Sequence, residues 1–160
     1  MKSLDRYELT GSQRILRWFY VLLLIVMGFT GFGQMPIFKR YYIADIPGMV
    51  WAANFYLTHY IHYLGAFFLL ALIAYAILDY ILSGRKNFNL TASAYLRIAF
   101  LGGIVVTGIF RVLKNLPDVV FSPGFTLFID ISHLGFMMAY LFSALFFLII
   151  RSGWVTRKSY

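Results

Sequence analysis

Residues 55–82 read FYLTHYIHYLGAFFLLALIAYAILDYIL, an apolar run with a single charge, Asp79, near its end and two histidines, His59 and His62, near its start. It exceeds the roughly 20 residues that carry a helix across a bilayer's hydrocarbon core. Three further runs, Ile15–Phe32, Tyr95–Leu113 and Phe125–Ile150, meet or approach that length. The whole chain of 160 residues is 61% hydrophobic and 12% charged. A soluble protein this small has no interior large enough to cover four helices that are apolar all round. The expected fold class is therefore an all-α membrane protein, a bundle of four transmembrane helices forming one domain over residues 1–160. No large catalytic domain is encoded. The first run is longer than a signal-peptide core and no Ala-x-Ala-like site follows it, so it is read as a retained span. No internal repeat and no low-complexity tract stand out.

Fourteen basic residues face six acidic ones, and their placement points to membrane topology, with no nucleic-acid partner. Lys2, Arg6, Arg14 and Arg17 precede the first span, Arg85, Lys86 and Arg97 surround the middle connection, and Arg151, Arg157 and Lys158 follow the last span. Only Lys39, Arg40, Arg111 and Lys114 lie on the other side. The positive-inside rule then puts both termini in the cytoplasm and the loops 33–54 and 114–124 outside, in a multi-pass protein of the cell's inner membrane. Residues 1–13 read as a polar, amphipathic lead-in. Pro36 is expected to close the first helix, Pro47 to open a short interfacial helix that leads into the second, and Gly84 to stop the second helix. Thr91 or Ser93 should cap the third, and Ser122-Pro123 the fourth.

The chain has no cysteine, which excludes disulfides, cysteine-held clusters and covalent haem attachment within it. Its chemistry rests on three histidines, His59, His62 and His133, all inside apolar runs, where metal-ligating groups are costly and are functional candidates by default. Given the inferred topology, all three fall at similar depth in the outer leaflet. Two imidazoles from different helices at one level are what a six-coordinate, non-covalent haem b requires. His59 and His62 sit about 60° apart around their helix, so only one shares an iron with His133. His62 is favoured, because Gly65 one turn beyond it would let a flat macrocycle approach. His59 remains the alternative axial ligand, or a partner for a propionate or a quinone carbonyl. Arg111 and Lys114 close the third span where propionates would emerge, and Asp130 precedes His133 by one turn. Three readings stay open beside haem: cross-helix histidine contacts, a His59/His62/His133 metal site, and a proton or ion conduit. Against the last, no paired intramembrane charges are apparent.

Several short motifs add a family resemblance. Arg14-Ile15-Leu16-Arg17-Trp18 opens the first span and Phe29-Thr30-Gly31 closes it. A histidine followed by glycine lies in the second, Val106-Thr107-Gly108 in the third and Ile131-Ser132-His133 in the fourth. In this order they resemble the membrane cytochrome b subunits of respiratory enzymes, such as the gamma subunit of formate dehydrogenase and the b-type subunits of nickel–iron hydrogenases. Two-haem members carry a histidine where this chain has Arg17, and another fourteen residues beyond His133, where Phe147 stands. The resemblance thus implies a single outer haem, with no bond-making chemistry. It implies an electron-transfer subunit that relays electrons between an iron–sulfur or multihaem subunit on the outer face and the quinone pool or another cytochrome. A haem-free membrane anchor is the alternative role.

Overall fold

The computed structural model describes residues 11–35 and 43–158. Its main elements are α1 (Gly11–Gly33), α2 (Phe55–Asp79), α3 (Ala92–Leu113) and α4 (Pro123–Ile149), with two short strands, β1 (Phe88–Leu90) and β2 (Val155–Arg157). All four helices are long and apolar enough to cross a membrane, as the four hydrophobic runs required. The expected roles of Pro36 and of residues 1–10 lie outside the described residues. Only 11% of the residues in the first three spans, and 6% in the fourth, are buried within the protein. About half of the few buried residues are polar or charged (Thr30, Thr58, Ser93, Arg97 and Thr107, beside Leu23, Ala52, Leu69, Ala94, Ile129 and Tyr140), while many leucines, isoleucines and phenylalanines face outward. That inversion suits a lipid solvent, in which backbone groups must be satisfied within each helix and polar side chains within the protein. Four such helices suggest a multi-pass membrane protein.

The chain divides into two compact units, one ending at Ile81 and the other starting at Leu82. The first is the antiparallel hairpin of α1 and α2, with Phe19 against Phe68 at one end and Gln34 beside His59 at the other. Between these helices, single 3₁₀ turns at Ile43–Asp45 and Val50–Ala53 flank Pro47-Gly48, and Gly48 holds φ at +85°. Pro47 therefore sits in the bend between two turns and does not open one. Asn54 caps α2, its side chain accepting from Leu57 N–H at 3.1 Å.

Gly84 does not stop the second helix. The chain passes from α2 through a π turn, Tyr80–Gly84, into one more helical turn, Arg85–Asn87, and Gly84 itself has ordinary right-handed dihedrals (φ −67°, ψ −44°). What ends the helix is β1, which pairs antiparallel with β2 in the register Phe88↔Arg157, Asn89↔Thr156, Leu90↔Val155. This ribbon ties both ends of the second hairpin, α3 and α4, together. Thr91, rather than Ser93, caps α3, accepting from Ala94 N–H. Ser122 caps α4 with Pro123 in its first turn, as the sequence indicated. Helix α4 closes through Arg151, whose φ of 55° is the left-handed value normally given to glycine. There Ser152 N–H donates to Phe147 C=O and Arg151 N–H to Leu148 C=O, the paired bonds of a Schellman ending.

Candidate functional site

In the first hairpin, His62 on α2 is held by α1. Thr30, almost completely buried, places its Oγ1 2.8 Å from Val26 C=O, 3.3 Å from Met27 C=O and 3.1 Å from His62 Nδ1. A hydroxyl has one proton, and an oxygen–oxygen approach of 2.8 Å requires it between them. The Thr30 hydroxyl therefore donates within its own helix and accepts from His62 Nδ1–H. With Nδ1 carrying that proton, Nε2 is the nitrogen that bears the lone pair of the uncharged ring. Next to it, the imidazole packs over Gly31, where an added Cβ would stand 3.4 Å from His62 Cε1, at the near edge of ordinary van der Waals contact. His59 is oriented likewise. Its Nδ1 is 3.0 Å from Gln34 Oε1, an acceptor only, while Gln34 Nε2 donates to Thr30 C=O at 3.2 Å. Phe55 stacks on the His59 ring at 5.3 Å.

The second hairpin repeats this arrangement. Thr107 Oγ1 donates to Gly103 C=O at 2.6 Å and lies 3.0 Å from His133 Nδ1. By the same proton count, Nδ1–H donates to the hydroxyl. A Cβ on Gly108 would stand 3.4 Å from His133 Cε1, the same approach as at Gly31. The correspondence extends outward. Gln34 and Arg111 each lie one turn after the threonine. His59 and Asp130 lie three residues before His62 and His133 respectively. Gln34 meets His59, and Arg111 Nε stands 3.5 Å from Asp130 Oδ1. Four residues before the histidines, Thr58 and Ile129 are both fully buried, as are Leu69 and Tyr140 seven residues after. The two hairpins are thus structural repeats, contrary to the expectation from sequence that there is none.

Packing beside the histidines uses a swapped pair. Three residues after His62 stands Gly65, and its side-chain position is taken by Met27 of α1, whose Cγ would be 2.9 Å from an added Cβ. Three residues after His133 stands Phe136, whose ring lies flat on Gly103, 2.7 Å from an added Cβ there. The closeness that Gly65 permits is used for helix packing.

Asp130 is not alone. Lys114 Nζ reaches both its oxygens at 2.8 Å, with Arg111 beside them, so the expectation of no paired charges within the spans is overturned. Toward the other end of this hairpin, Arg97 is buried. It donates to Ser93 C=O and Oγ, Ser152 C=O and Gly153 C=O. Its guanidinium lies 4.2 Å from the Trp154 ring centre and 5.2 Å from that of Phe147. Phe147 is thus engaged in a structural cluster around the buried Arg97.

Of the residues singled out by sequence, the structure brings His59 and His62 to one face of α1 and His133 to the matching face of α3. Arg111 is placed against Asp130 and Gly65 against Met27. Among the described residues, no three His, Cys, Asp or Glu side chains are grouped to hold a metal ion. Sequence reasoning missed Thr30, Thr107 and Gln34 as partners of these histidines. The recurring Thr-Gly pair in the first and third spans was the available signal. No protein-family model, curated protein or solved structure matches this chain.

Proposed function

We propose that the protein is a membrane-anchored, haem b-binding electron-transfer subunit, with His62 and His133 as the two axial ligands. The observation that supports this reading is the repeat: each hairpin presents one imidazole whose Nδ1–H is held by a buried threonine, so that Nε2 is the nitrogen able to ligate. That is the donor a haem iron takes, and metal-bound histidines regularly donate their other ring N–H to a fixed acceptor. The fit of the donor set favours His62 over His59, because only His62 shares the Thr-Gly environment of His133. When bound, the haem supplies one-electron exchange between its ferric and ferrous states. The chain's part is to hold two imidazoles in fixed orientation, exclude water with its apolar helices, and keep one site rather than two.

In this reading the chain belongs with the membrane cytochrome b subunits it resembles and sits in the cell's inner membrane with both termini cytoplasmic. It relays electrons between an iron–sulfur or multihaem subunit on the outer face and the quinone pool or another cytochrome. In this reading Arg111 and Lys114, which hold Asp130, would also neutralise haem propionates, and His59 would contact a quinone. The test is the visible spectrum of the protein purified from haem-replete cells. Dithionite reduction should give a sharp α band, with about one haem per chain by pyridine haemochrome. A colourless preparation would overturn the proposal. It would favour the second reading, a haem-free anchor in which the same threonine–histidine bonds serve only to join helices.

A further inference from the structure

We propose that Thr30 and Thr107 are positioning residues for the iron, setting its potential through the imidazoles they hold. This deepens the haem reading and rests on it. Both hydroxyls spend their single proton on a backbone carbonyl of their own helix, Val26 C=O for Thr30 and Gly103 C=O for Thr107. Each can then only accept from histidine, at 3.1 Å and 3.0 Å. An Nδ1–H that donates to an oxygen makes the opposite nitrogen a stronger donor, because proton sharing pushes electron density through the ring toward Nε2. A stronger donor favours ferric over ferrous iron and lowers the potential. The helix-bound hydroxyl, polarised by its own bond to the carbonyl, is a better acceptor than a lone hydroxyl would be. The glycine that follows each threonine lies under the same imidazole in both hairpins, with an added Cβ at Gly31 or Gly108 3.4 Å from Cε1. Each hairpin carries the same device, so the two threonines should have like effects that add.

The experiment compares Thr30→Val, Thr107→Val and the double variant with Thr30→Ser and Thr107→Ser. All are made in the full-length chain purified from haem-replete cells in mild detergent. Valine keeps the shape and removes the acceptor; serine keeps the acceptor. Measurements are haem content, midpoint potential by redox titration, and the low-temperature EPR spectrum of the ferric form. The expected result is an upward shift in midpoint potential in each valine variant, the sum of both in the double variant, with a changed EPR g-tensor. Both serine variants should titrate like wild type. Loss of haem retention in the valine variants, roughly 10-fold or more, with retention in the serine variants and unchanged helical circular dichroism, also supports the proposal. Valine variants that hold haem at the wild-type potential overturn it, as does equal loss in valine and serine variants. Wild-type protein that binds no haem refutes instead the parent reading, so the two failures are told apart.

Discussion

The two hairpins share a frame and differ in what surrounds it. Each sets a Thr-Gly pair on its first helix against a histidine on its second, at nearly the same distances. Beside that pair the first hairpin has a neutral corner, Gln34 with His59. The second has an ionic one, Asp130 with Lys114 and Arg111. The second hairpin alone is closed by the ribbon of β1 and β2 and by the buried Arg97. What is kept in both copies is the means of orienting an imidazole. What varies is charge and closure, which marks the threonine–histidine bond as the part both hairpins need and the corners as parts that can specialise.

The closure of the second hairpin should show the largest effect. Arg97 satisfies carbonyls at the start of α3 and after α4 and stacks on Trp154. Arg97→Ala deletes charged hydrogen bonds and a desolvated cation–π contact, and should cost about 3 kcal/mol. Thermal unfolding in detergent would measure it, and a loss below about 1 kcal/mol would mean that the ribbon alone closes this end. The swapped packing pairs come next. Gly103→Ala drives a methyl into the flat Phe136 ring and should destabilise by about 2 kcal/mol. In contrast, Gly65→Ala meets only the flexible Met27 side chain, so the helix preference of alanine over glycine, up to about 1 kcal/mol, should roughly cancel the contact. Equal losses at the two positions would break the proposed exchange of large and small residues.

Smaller effects separate the corners. Both Asp130→Asn and Gln34→Leu should cost about 1 kcal/mol or less, since the ion pair is partly exposed and the amide makes ordinary hydrogen bonds. Only the loss at Asp130 should shrink as salt is raised, because solvent-reachable charges are screened. Salt dependence at both, or at neither, would contradict the division into neutral and ionic corners. Arg151→Gly, at a left-handed φ of 55°, should stabilise by about 1 kcal/mol. An unchanged melting temperature there would show that the Schellman ending is relaxed with arginine.

The helices were legible because apolar length is a local property: four nearly uncharged runs of this length read as spans, and Ser122-Pro123 announces α4 within two residues. The histidines were legible too, being the few costly groups in those runs. Their threonine partners were not, because that pairing crosses a loop. The loops differ in length, so the repeat has no constant period along the chain even though Thr-Gly and histidine recur in order. The ribbon was hidden for a similar reason: Phe88–Leu90 and Val155–Arg157 are each too short to carry an alternating pattern and become strands only by pairing. Gly84 misled because a glycine and two basic residues resemble a helix ending, whereas the chain continues through a π turn. The reading of His62 over His59 gains its support from geometry alone, since both imidazoles carry Nδ1–H but only one has the glycine beneath it.

The most direct test of the central claim is the haem content of His62→Ala, His133→Ala and His59→Ala, prepared side by side from haem-replete cells with matched helical content. The account predicts that the first two lose the reduced α band, while His59→Ala keeps about one haem per chain. A colourless His59→Ala beside a fully loaded His62→Ala would contradict it.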